Sequence, residues 1–565
     1  MSTKRGAAQI LFGMLPTQTV DLEGSVWRVQ RWKDPTELPI DQAALRKALL
    51  EDVAPWASHG NDSGMDVDLR RGGKVKVVAV NEDLGVVVER FPRQWRCRTC
   101  GRLTTQKVKV CTCGSTSVAQ MQHVAFHTCG SLKEPLLPQC RTHHAVAVRL
   151  PGTAQAREMY FFCPTCKQHL SSGFPFQLCG CVPKESMERN VHRAAIVFSP
   201  HFTVMVNPPD PAAAARLRAQ GGGARMLEWA FDGLRGSEPG GGKQTVEGFV
   251  QTLVQTNISE SYARELAAQA LARGEIEQGT TPGDNGLPAV VRDRAEEEAM
   301  SLASALEQGR VRVDDLLTNT TPPQRTLYES YEGLIASAKL SNVELLTRFP
   351  VATLAFGYTR GGSDPTETIL QPFRERSGLL AYGMQTKTEA ILFQLDPVMV
   401  LEWLRAQGFP LPETKDPREA RLSILRVLDV PRASETNPQD FGAKLLSLLH
   451  SYSHRLVRTL AVDAGVEREA LAEYLLPHLL SIIVYTSARG QFVLGALQSA
   501  FETGLDRVLD DVVHGESRCP LDPGCRDGGG ACMACLHLGE PSCRWFNRFL
   551  DRADLFGTNG FLSAR

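Results

Sequence analysis

The residues best suited to chemistry in this 565-residue chain are its fifteen cysteines, ten of which fall between residues 91 and 195. Two sets repeat one pattern, in which a C-x2-C pair is followed by a C-x-C pair. The first set is Cys97, Cys100, Cys111 and Cys113, and the second is Cys163, Cys166, Cys179 and Cys181. Four thiolates on such turns can close a tetrahedral zinc site with Zn–S bonds of about 2.3 Å. The spacing therefore predicts two zinc sites of one design.

A third cluster lies near the C-terminus, where five cysteines compete for four positions. We expect Cys525, Cys532, Cys535 and Cys543 to bind zinc, with Cys519 as a spare or substitute. Closed four-ligand sites leave no position for water, which favours structural over catalytic zinc. We expect two to three zinc ions per chain, and buried free thiols are the alternative.

Two cysteines between these sets, Cys129 and Cys140, lie close in sequence to His127, His143 and His144. A Cys2His2 site is one interpretation. The irregular spacing favours a packed core or turn instead.

No motif for nucleotide hydrolysis is found. The glycine-rich stretch 239–245 fails as a phosphate loop because Ser237 stands where the first glycine is required. His450 and His454 share one face of a predicted helix, but Ser451 stands where a zinc protease needs glutamate. Hydrogen bonding in a core is favoured for this pair. The sequence predicts no ATPase, while a metal-dependent nuclease built from scattered acids stays an alternative.

The charge pattern points to one local patch. Lys and Arg total 62 against 63 Asp and Glu, so any contact with nucleic acid must be local. Between Arg90 and Arg149, ten basic residues face a single acid, with Phe91, Trp95 and Phe126 interleaved. We expect this segment to hold phosphates and to stack an aromatic ring on a base. The expected DNA contacts are Arg93, Arg96, Arg98, Arg102, Lys107 and Lys109. A solvated face, or one paired with an acidic protein, is the alternative.

The pattern of apolar runs and turn residues predicts a multidomain α+β chain. Lys74–Val80 and Leu84–Val88 are expected to pair as neighbouring strands. The predicted regions are an N-terminal α/β region (1–90), a double zinc-ribbon module (91–195), a linker and helical region (196–320), a mixed α/β region (321–431) and a mainly helical C-terminal domain closed by the third cysteine cluster (432–565). The sequence shows no secretory signal and no apolar run that could span a bilayer, so a cytoplasmic protein is expected.

Several segments resemble a known domain. Ala531–Leu536, Ser542–Cys543 and Asn547–Arg552 are similar to the cysteine-rich C-terminal domain of certain superfamily 2 helicases, including mitomycin-repair helicases. Further similar segments are Leu448–His454, Tyr485–Leu497, Phe356–Arg360 and Thr388–Leu392. Here that domain stands in a chain without helicase motors. With Gln9–Gly13 and His192–Pro209, the arrangement resembles the DrmB-type subunits of the DISARM anti-phage system.

The resemblance implies a chain that binds a DrmA-like helicase, helps it engage DNA and supports restriction of phage DNA. It implies no active site in this chain. A metal-dependent nuclease and a purely structural scaffold without DNA contact are the alternatives.

Overall fold

A computed structural model gives the fold of the chain. It describes residues 5–150, 156–182, 184–208, 211–234, 245–255, 258–276, 286–318, 320–376, 378–430, 440–487, 495–539, 542, 543, 545 and 547–563. The glycine-rich stretch 239–245, which fails as a phosphate loop, lies outside these residues except for Thr245.

Internal contacts divide the chain into two units. Unit 1 comprises Met1–Met205 and Ala352–Gln385, and unit 2 comprises Val206–Val351 and Thr386–Arg565. Both mix helices and strands, which confirms a mixed α/β chain. The five-region division stays a prediction on a finer scale than these units.

The strands are mostly short, apart from two long ones that contribute residues to both units. They are β1 (Thr19–Leu22), β2 (Ser25–Trp32), β3 (Thr36–Glu37), β4 (Val75–Ala79), β5 (Val86–Arg90), β6 (Trp95–Cys97), β7 (Leu103–Thr104), β8 (Val118–Gln120), β9 (His123–Phe126), β10 (Leu132–Lys133), β11 (Ala147–Arg149), β12 (Tyr160–Phe162), β13 (His169–Ser172), β14 (Glu188–Val191), β15 (Ser199–Val206), β16 (Arg310–Arg312), β17 (Leu340–Thr359), β18 (Gln371–Pro372), β19 (Arg374–Glu375), β20 (Gly378–Leu395), β21 (Leu471–Leu476) and β22 (Ser481–Thr486).

The helices lie mainly in unit 2. They are α1 (Ala7–Gly13), α2 (Gln42–Ala57), α3 (Met65–Arg70), α4 (Pro211–Ala219), α5 (Gly222–Phe231), α6 (Val246–Gln255), α7 (Glu260–Ala272), α8 (Ala289–Glu307), α9 (Val313–Leu316), α10 (Pro322–Ser337), α11 (Pro397–Ala406), α12 (Pro417–Leu425), α13 (Phe441–Asp463), α14 (Ala496–Thr503), α15 (Leu505–His514), α16 (Gly524–Asp527) and α17 (Arg552–Phe556). Within the described part of the chain, none has the length and apolar character that a bilayer crossing needs.

The core of unit 1 forms on both faces of β4. Val75 and Val77 pack in one apolar cluster with α2, while Val78 packs in a second cluster with Trp32. Because both faces of β4 are buried, its main-chain N–H and C=O groups need hydrogen-bond partners along both edges. Accordingly, β4 pairs with β3 and with β20, while β5 pairs with β2. The two strands exist as predicted, but their expected pairing with each other is wrong.

Three small antiparallel sheets in unit 1 carry the N-terminal cysteines. Their strand orders are β7-β6-β8, β10-β9-β14 and β11-β12-β13. Two strands end next to a cysteine turn, since Cys97 is the last residue of β6 and Cys163 follows β12 directly. The sheets thus position the turns that begin at Cys97 and Cys163.

Unit 2 is built around α13, which Asp440 caps by accepting a hydrogen bond from the Ala443 N–H at 2.9 Å. The helix buries most of its residues, including both histidines of the predicted helical pair. β21 and β22 form an antiparallel hairpin in the same unit, and β22 also pairs with Ala390–Gln394 of β20. The expectation of a mainly helical C-terminal domain therefore missed this hairpin, whose residues are buried almost throughout.

Candidate metal centres

Five groups of four side chains each bring their donor atoms within 4.8 Å of one another. Together they take up all fifteen cysteines, with four histidines and one glutamate. The groups are site 1 (Cys97, Cys100, Cys111, Cys113), site 2 (His127, Cys129, Cys179, Cys181), site 3 (Cys140, His143, Cys163, Cys166), site 4 (His450, His454, Glu473, Cys543) and site 5 (Cys519, Cys525, Cys532, Cys535). Four sulfurs about 2.3 Å from one tetrahedral ion lie about 3.8 Å apart, which sets the scale for the distances below.

Site 1 brings together the first predicted cysteine set. The Sγ atoms of Cys97 and Cys113 lie 3.6 Å apart, as do those of Cys100 and Cys111. Each turn closes on a glycine in the left-handed region, Gly101 at φ +74° and Gly114 at φ +85°. Hydrogen bonds from the main-chain N–H groups of Cys100 and Thr99 help lower the pKa of Cys97 to about 6. A thiolate at neutral pH is the form that binds metal.

Site 3 repeats this turn twice. Lys167 N–H donates to the carbonyl of Cys163, and His144 N–H to that of Cys140, each at 2.9 Å. Both donors have positive φ, as Gly101 does in site 1. The Sγ of Cys140 lies 3.9 Å from that of Cys166, and His143 Nδ1 lies 3.7 Å from Cys163 Sγ. Three sulfurs and one imidazole nitrogen thus form a compact group.

Site 2 combines two C-x-C-like turns. The Sγ atoms of Cys129 and Cys179 lie 3.4 Å apart, and His127 Nδ1 lies 3.6 Å from Cys181 Sγ. The other ring nitrogen of His127 lies 3.0 Å from the Glu185 carboxylate. A carboxylate behind an imidazole is the usual support for a metal-bound histidine, because it fixes the tautomer and the ring orientation.

The predicted four-cysteine set at residues 163–181 is therefore wrong as a group. Cys163 and Cys166 lie in site 3, whereas Cys179 and Cys181 lie in site 2. Cys163 directly follows β12, and the Cys140 turn lies just before β11. Because β11 and β12 pair with each other, one sheet positions both halves of site 3. Site 2 is likewise supported by the sheet of β9, β10 and β14.

The sequence does contain a signal for the grouping of sites 2 and 3, which is visible when histidine is counted as a ligand beside cysteine. Cys140-x2-His143 has the spacing of Cys163-x2-Cys166. In the same way, His127-x-Cys129 matches Cys179-x-Cys181. His127 and His143, for which the sequence favours a packed core or turn, thus each join a group of four donor atoms that could hold a metal ion.

Site 5 differs from the predicted third cluster by one ligand. The Sγ of Cys519, considered a spare, lies 3.5 Å from that of Cys532, and Cys525 lies 3.7 Å from Cys535. Cys543, predicted to complete this group, lies in site 4 instead. Arg552 supports the turn after Cys519 with two 2.7 Å contacts to Asp522.

Site 4 is the most deeply buried group, and its histidines and glutamate are each at most 1% exposed. His450 Nε2 lies 3.2 Å from Cys543 Sγ and 3.0 Å from Glu473 Oε1. His454 Nε2 lies 3.4 Å from the same carboxylate oxygen. The expected core hydrogen bonds exist at the Nδ1 atom of each ring, which faces a main-chain carbonyl, while both Nε2 atoms point towards Glu473 and Cys543.

The basic residues around site 1 divide by exposure. The side chains of Arg93, Arg98, Lys107 and Lys109 are exposed, while Arg96 and Arg102 are half-buried. Burial lowers the pKa of the Arg96 guanidinium, and the nearby Arg98 adds to this effect.

The expectation that an interleaved aromatic ring stacks on a base is wrong. Phe91, Trp95 and Phe126 are each buried. Lys107 Nζ lies 5.2 Å from the centre of the Trp95 ring, so that ring supports a cation instead of facing solvent.

Comparison with known proteins shows similarity to a protein family and to a curated protein. Residues 6–195, which contain sites 1 to 3, match a family model described as a domain of unknown function, DUF8724. A stretch of 126 residues is 29% identical to the DISARM protein DrmB of Bacillus paralicheniformis. This match covers 20% of the present chain and 22% of that protein, so the chain is similar to about a fifth of the length of this curated relative.

Proposed function

We propose that this chain is a non-catalytic, zinc-stabilised, cytoplasmic subunit of a DISARM-like defence system. In this role it partners a DrmA-like superfamily 2 helicase, binds DNA through the ribbon around site 1 and supports restriction of phage DNA. The observation that carries the proposal is the set of exposed cationic side chains beside a small sheet and a four-cysteine group that could hold a metal ion.

The ribbon has the features that phosphate binding needs. Its exposed cations are Arg93, Arg98, Lys107 and Lys109. Rigid cations bind phosphate at a lower entropic cost than mobile ones. Here the site 1 turns and the Trp95 ring restrict the chain that bears them. Glu89 lies 3.8 Å from Arg93 but also pairs with Arg28, so it neutralises Arg93 only in part.

The half-buried Arg96 and Arg102 support the surface and are not the primary contacts. Arg96 pairs in register with Leu103 and Ala119 at the centre of the ribbon sheet. Its charge raises the local potential even where its head group does not reach a phosphate.

The chemistry of the five groups supports a structural role for zinc. Each group offers four donors, and a zinc ion held by four protein ligands has no position for a reactive water. Sites 1 and 5 offer only sulfur, a donor set typical of structural zinc. The binding energy of such ions contributes directly to folding.

The partner and the biological role rest on similarity. The curated relative is called a DISARM protein, and the cysteine-rich tail resembles a domain that accompanies superfamily 2 helicases. A chain that carries this domain without a motor would act on DNA together with a motor from another chain.

The test compares two variants of equal charge. The ribbon variant changes Arg93, Arg98, Lys107 and Lys109 to Gln, and the control variant changes Lys47, Arg70, Arg71 and Lys74 to Gln. All eight residues are exposed side chains of unit 1, so each variant removes four positive charges. DNA affinity is measured as a function of salt concentration.

Each phosphate contact contributes about 0.9 to the slope of log K against log salt for duplex DNA. We expect the ribbon variant to lose about 3 to 4 units of slope if all four side chains contact phosphate, and the control to keep the parent slope. Equal slopes in the parent and the ribbon variant would refute the ribbon as the DNA contact.

A nuclease is the competing function. Incubation of the purified chain with labelled DNA and Mg²⁺ or Mn²⁺ tests it. Cleavage that follows the protein through every purification step would overturn the non-catalytic role.

A further inference from the structure

We infer that site 4 is a metal site of its own, in which His450, His454, Glu473 and Cys543 hold one buried divalent ion, with zinc the best match to the donors. The four residues come from three segments of unit 2: α13 supplies both histidines, β21 supplies the glutamate, and the C-terminal tail supplies the cysteine.

The geometry matches a single tetrahedral ion. With bonds of about 2.0–2.1 Å to nitrogen or oxygen and 2.3 Å to sulfur, donor pairs lie about 3.3 to 3.6 Å apart. The observed separations are 3.2 Å from His450 Nε2 to Cys543 Sγ and 3.0 and 3.4 Å from the two Nε2 atoms to Glu473 Oε1. They fall within a few tenths of an ångström of the required edges.

Main-chain carbonyls on the Nδ1 side of each ring determine its tautomer. His450 Nδ1 lies 2.7 Å from the carbonyl of Arg548, and His454 Nδ1 lies 2.8 Å from that of Leu536. A carbonyl only accepts, so each Nδ1 must carry the proton. In the neutral ring, Nε2 then presents a lone pair, which is the arrangement of metal-bound histidines.

Counting protons shows that added positive charge is needed. With both rings neutral, two Nε2 lone pairs and a carboxylate oxygen face one thiol, whose single proton cannot satisfy three acceptors. Either protons on the two rings or one metal ion would supply that charge, and counting the bound ions distinguishes the two. His454 Nε2 and Glu473 Oε1 are both buried and make no hydrogen bond of acceptable geometry within the described structure. Unsatisfied buried polar atoms are costly, and one divalent ion would satisfy all four groups at once.

The surroundings favour the anionic forms of the ligands. Asn547 N–H lies 3.3 Å from Cys543 Sγ and helps to stabilise a thiolate. Ser453 donates to the other oxygen of Glu473, which orients the carboxylate. Asn547 also clamps Leu538 through two 2.9 Å hydrogen bonds, so the tail is fixed on both sides of Cys543.

Site 4 therefore differs from the four cysteine-rich sites in place and in donors. The donors of those sites lie mostly on short turns, whereas the donors of site 4 connect the C-terminal tail with the central helix of unit 2. A structural ion here would fix the tail that carries site 5.

Native mass spectrometry of the full chain provides the test. Cys543→Ala and His454→Gln are each expected to bind one zinc ion fewer than the parent. The control is His478→Gln, which changes a buried histidine 2.6 Å from Glu298, outside all five groups. This control is expected to keep the parent number of ions.

Equal numbers of ions in the parent and in both site 4 variants would overturn the inference. If those variants fail to fold, the parent decides the question. Five ions support site 4, and four or fewer contradict it when the cysteines of the other four groups are all protected from alkylation. Co²⁺ substitution adds a spectroscopic reading: the spectrum lost in Cys543→Ala should be that of a tetrahedral ion with a single thiolate.

Discussion

The sequence pattern assigns Cys163, Cys166, Cys179 and Cys181 to one ion, whereas the structure divides them between sites 2 and 3. Counting bound ions in cysteine variants distinguishes these two groupings. Changing Cys163 and Cys166 to Ser removes two of four donors from site 3, and changing Cys179 and Cys181 to Ser removes two from site 2. Each pair of changes is expected to cost one ion, and all four changes together are expected to cost two. If these four cysteines shared one ion, the fourfold variant would lose only one.

The size of the effect follows from the geometry. Structural zinc sites bind with about 10–16 kcal/mol at neutral pH, so two missing donors from a group of four should empty it. Changing Cys97 and Cys100 to Ser calibrates the assay, because site 1 has the same members in both groupings. The ions are counted by elemental analysis after gel filtration.

Thiol alkylation with peptide mapping provides a second reading that tolerates partial unfolding. In the variant lacking Cys163 and Cys166, Cys140 should become reactive because it lies 3.9 Å from Cys166. Cys179 and Cys181 should stay protected. The opposite pattern, with Cys140 unchanged and Cys179 and Cys181 exposed to the reagent, would refute the grouping.

Three further predictions test the scaffold. Gly101→Ala should destabilise unit 1 by about 3 kcal/mol, and Gly114→Ala by about 1 kcal/mol. The two differ because a Cβ added at Gly101 would lie 2.4 Å from the Val148 carbonyl oxygen, whereas one added at Gly114 meets nothing within 4 Å. Equal shifts in denaturation midpoint would contradict this. Arg360→Met should lower the free energy of unfolding, measured by urea titration, by about 3 kcal/mol. The reason is that the buried guanidinium donates hydrogen bonds to the carbonyls of Gly130, Val197 and Thr17. A decrease below about 1 kcal/mol would show that these bonds contribute little. Burial lowers the pKa of His201 to about 4, so the stability that its neutral ring contributes is present above about pH 6.5 and is lost as the pH falls towards 4. Between pH 7 and pH 5, the free energy of unfolding of His201→Gln should therefore fall by about 2 kcal/mol less than that of the parent. Identical decreases would refute the assignment.

Much of the metal chemistry could be predicted from cysteine spacing because two donors on one turn are a local feature. Site 1 lies within seventeen residues, and its spacing alone defined the group. Sites 2 and 3 combine turns up to 54 residues apart, and the pairing of turns is decided by which strands share a sheet. Local spacing carries no information on that choice.

Site 4 could not be found by a cysteine pattern at all. Its donors span residues 450 to 543, and only one of them is cysteine. Glu473 lies on a strand within a domain that the sequence predicts to be mainly helical. The histidine pair was visible at helical spacing, but a buried pair is equally compatible with a hydrogen-bonded core. Only the converging Nε2 atoms distinguish the two interpretations.

The strand content shows the same limit. The apolar runs at β4 and β5 were correctly predicted as strands because β-branched residues dominate them. Their partners were not, because β4 is buried on both faces by segments far away in sequence. The exposure of the cations and the burial of Trp95 likewise depend on packing that composition does not show.

The central claim is tested most directly by the DNA affinity of a complex between this chain and a DrmA-like helicase, compared with the helicase alone. The account predicts tighter binding by the complex. It also predicts that the ribbon variant at Arg93, Arg98, Lys107 and Lys109 still co-purifies with the helicase but loses the gain. A gain that the ribbon variant retains in full, or a complex that binds DNA no better than the helicase alone, would contradict it.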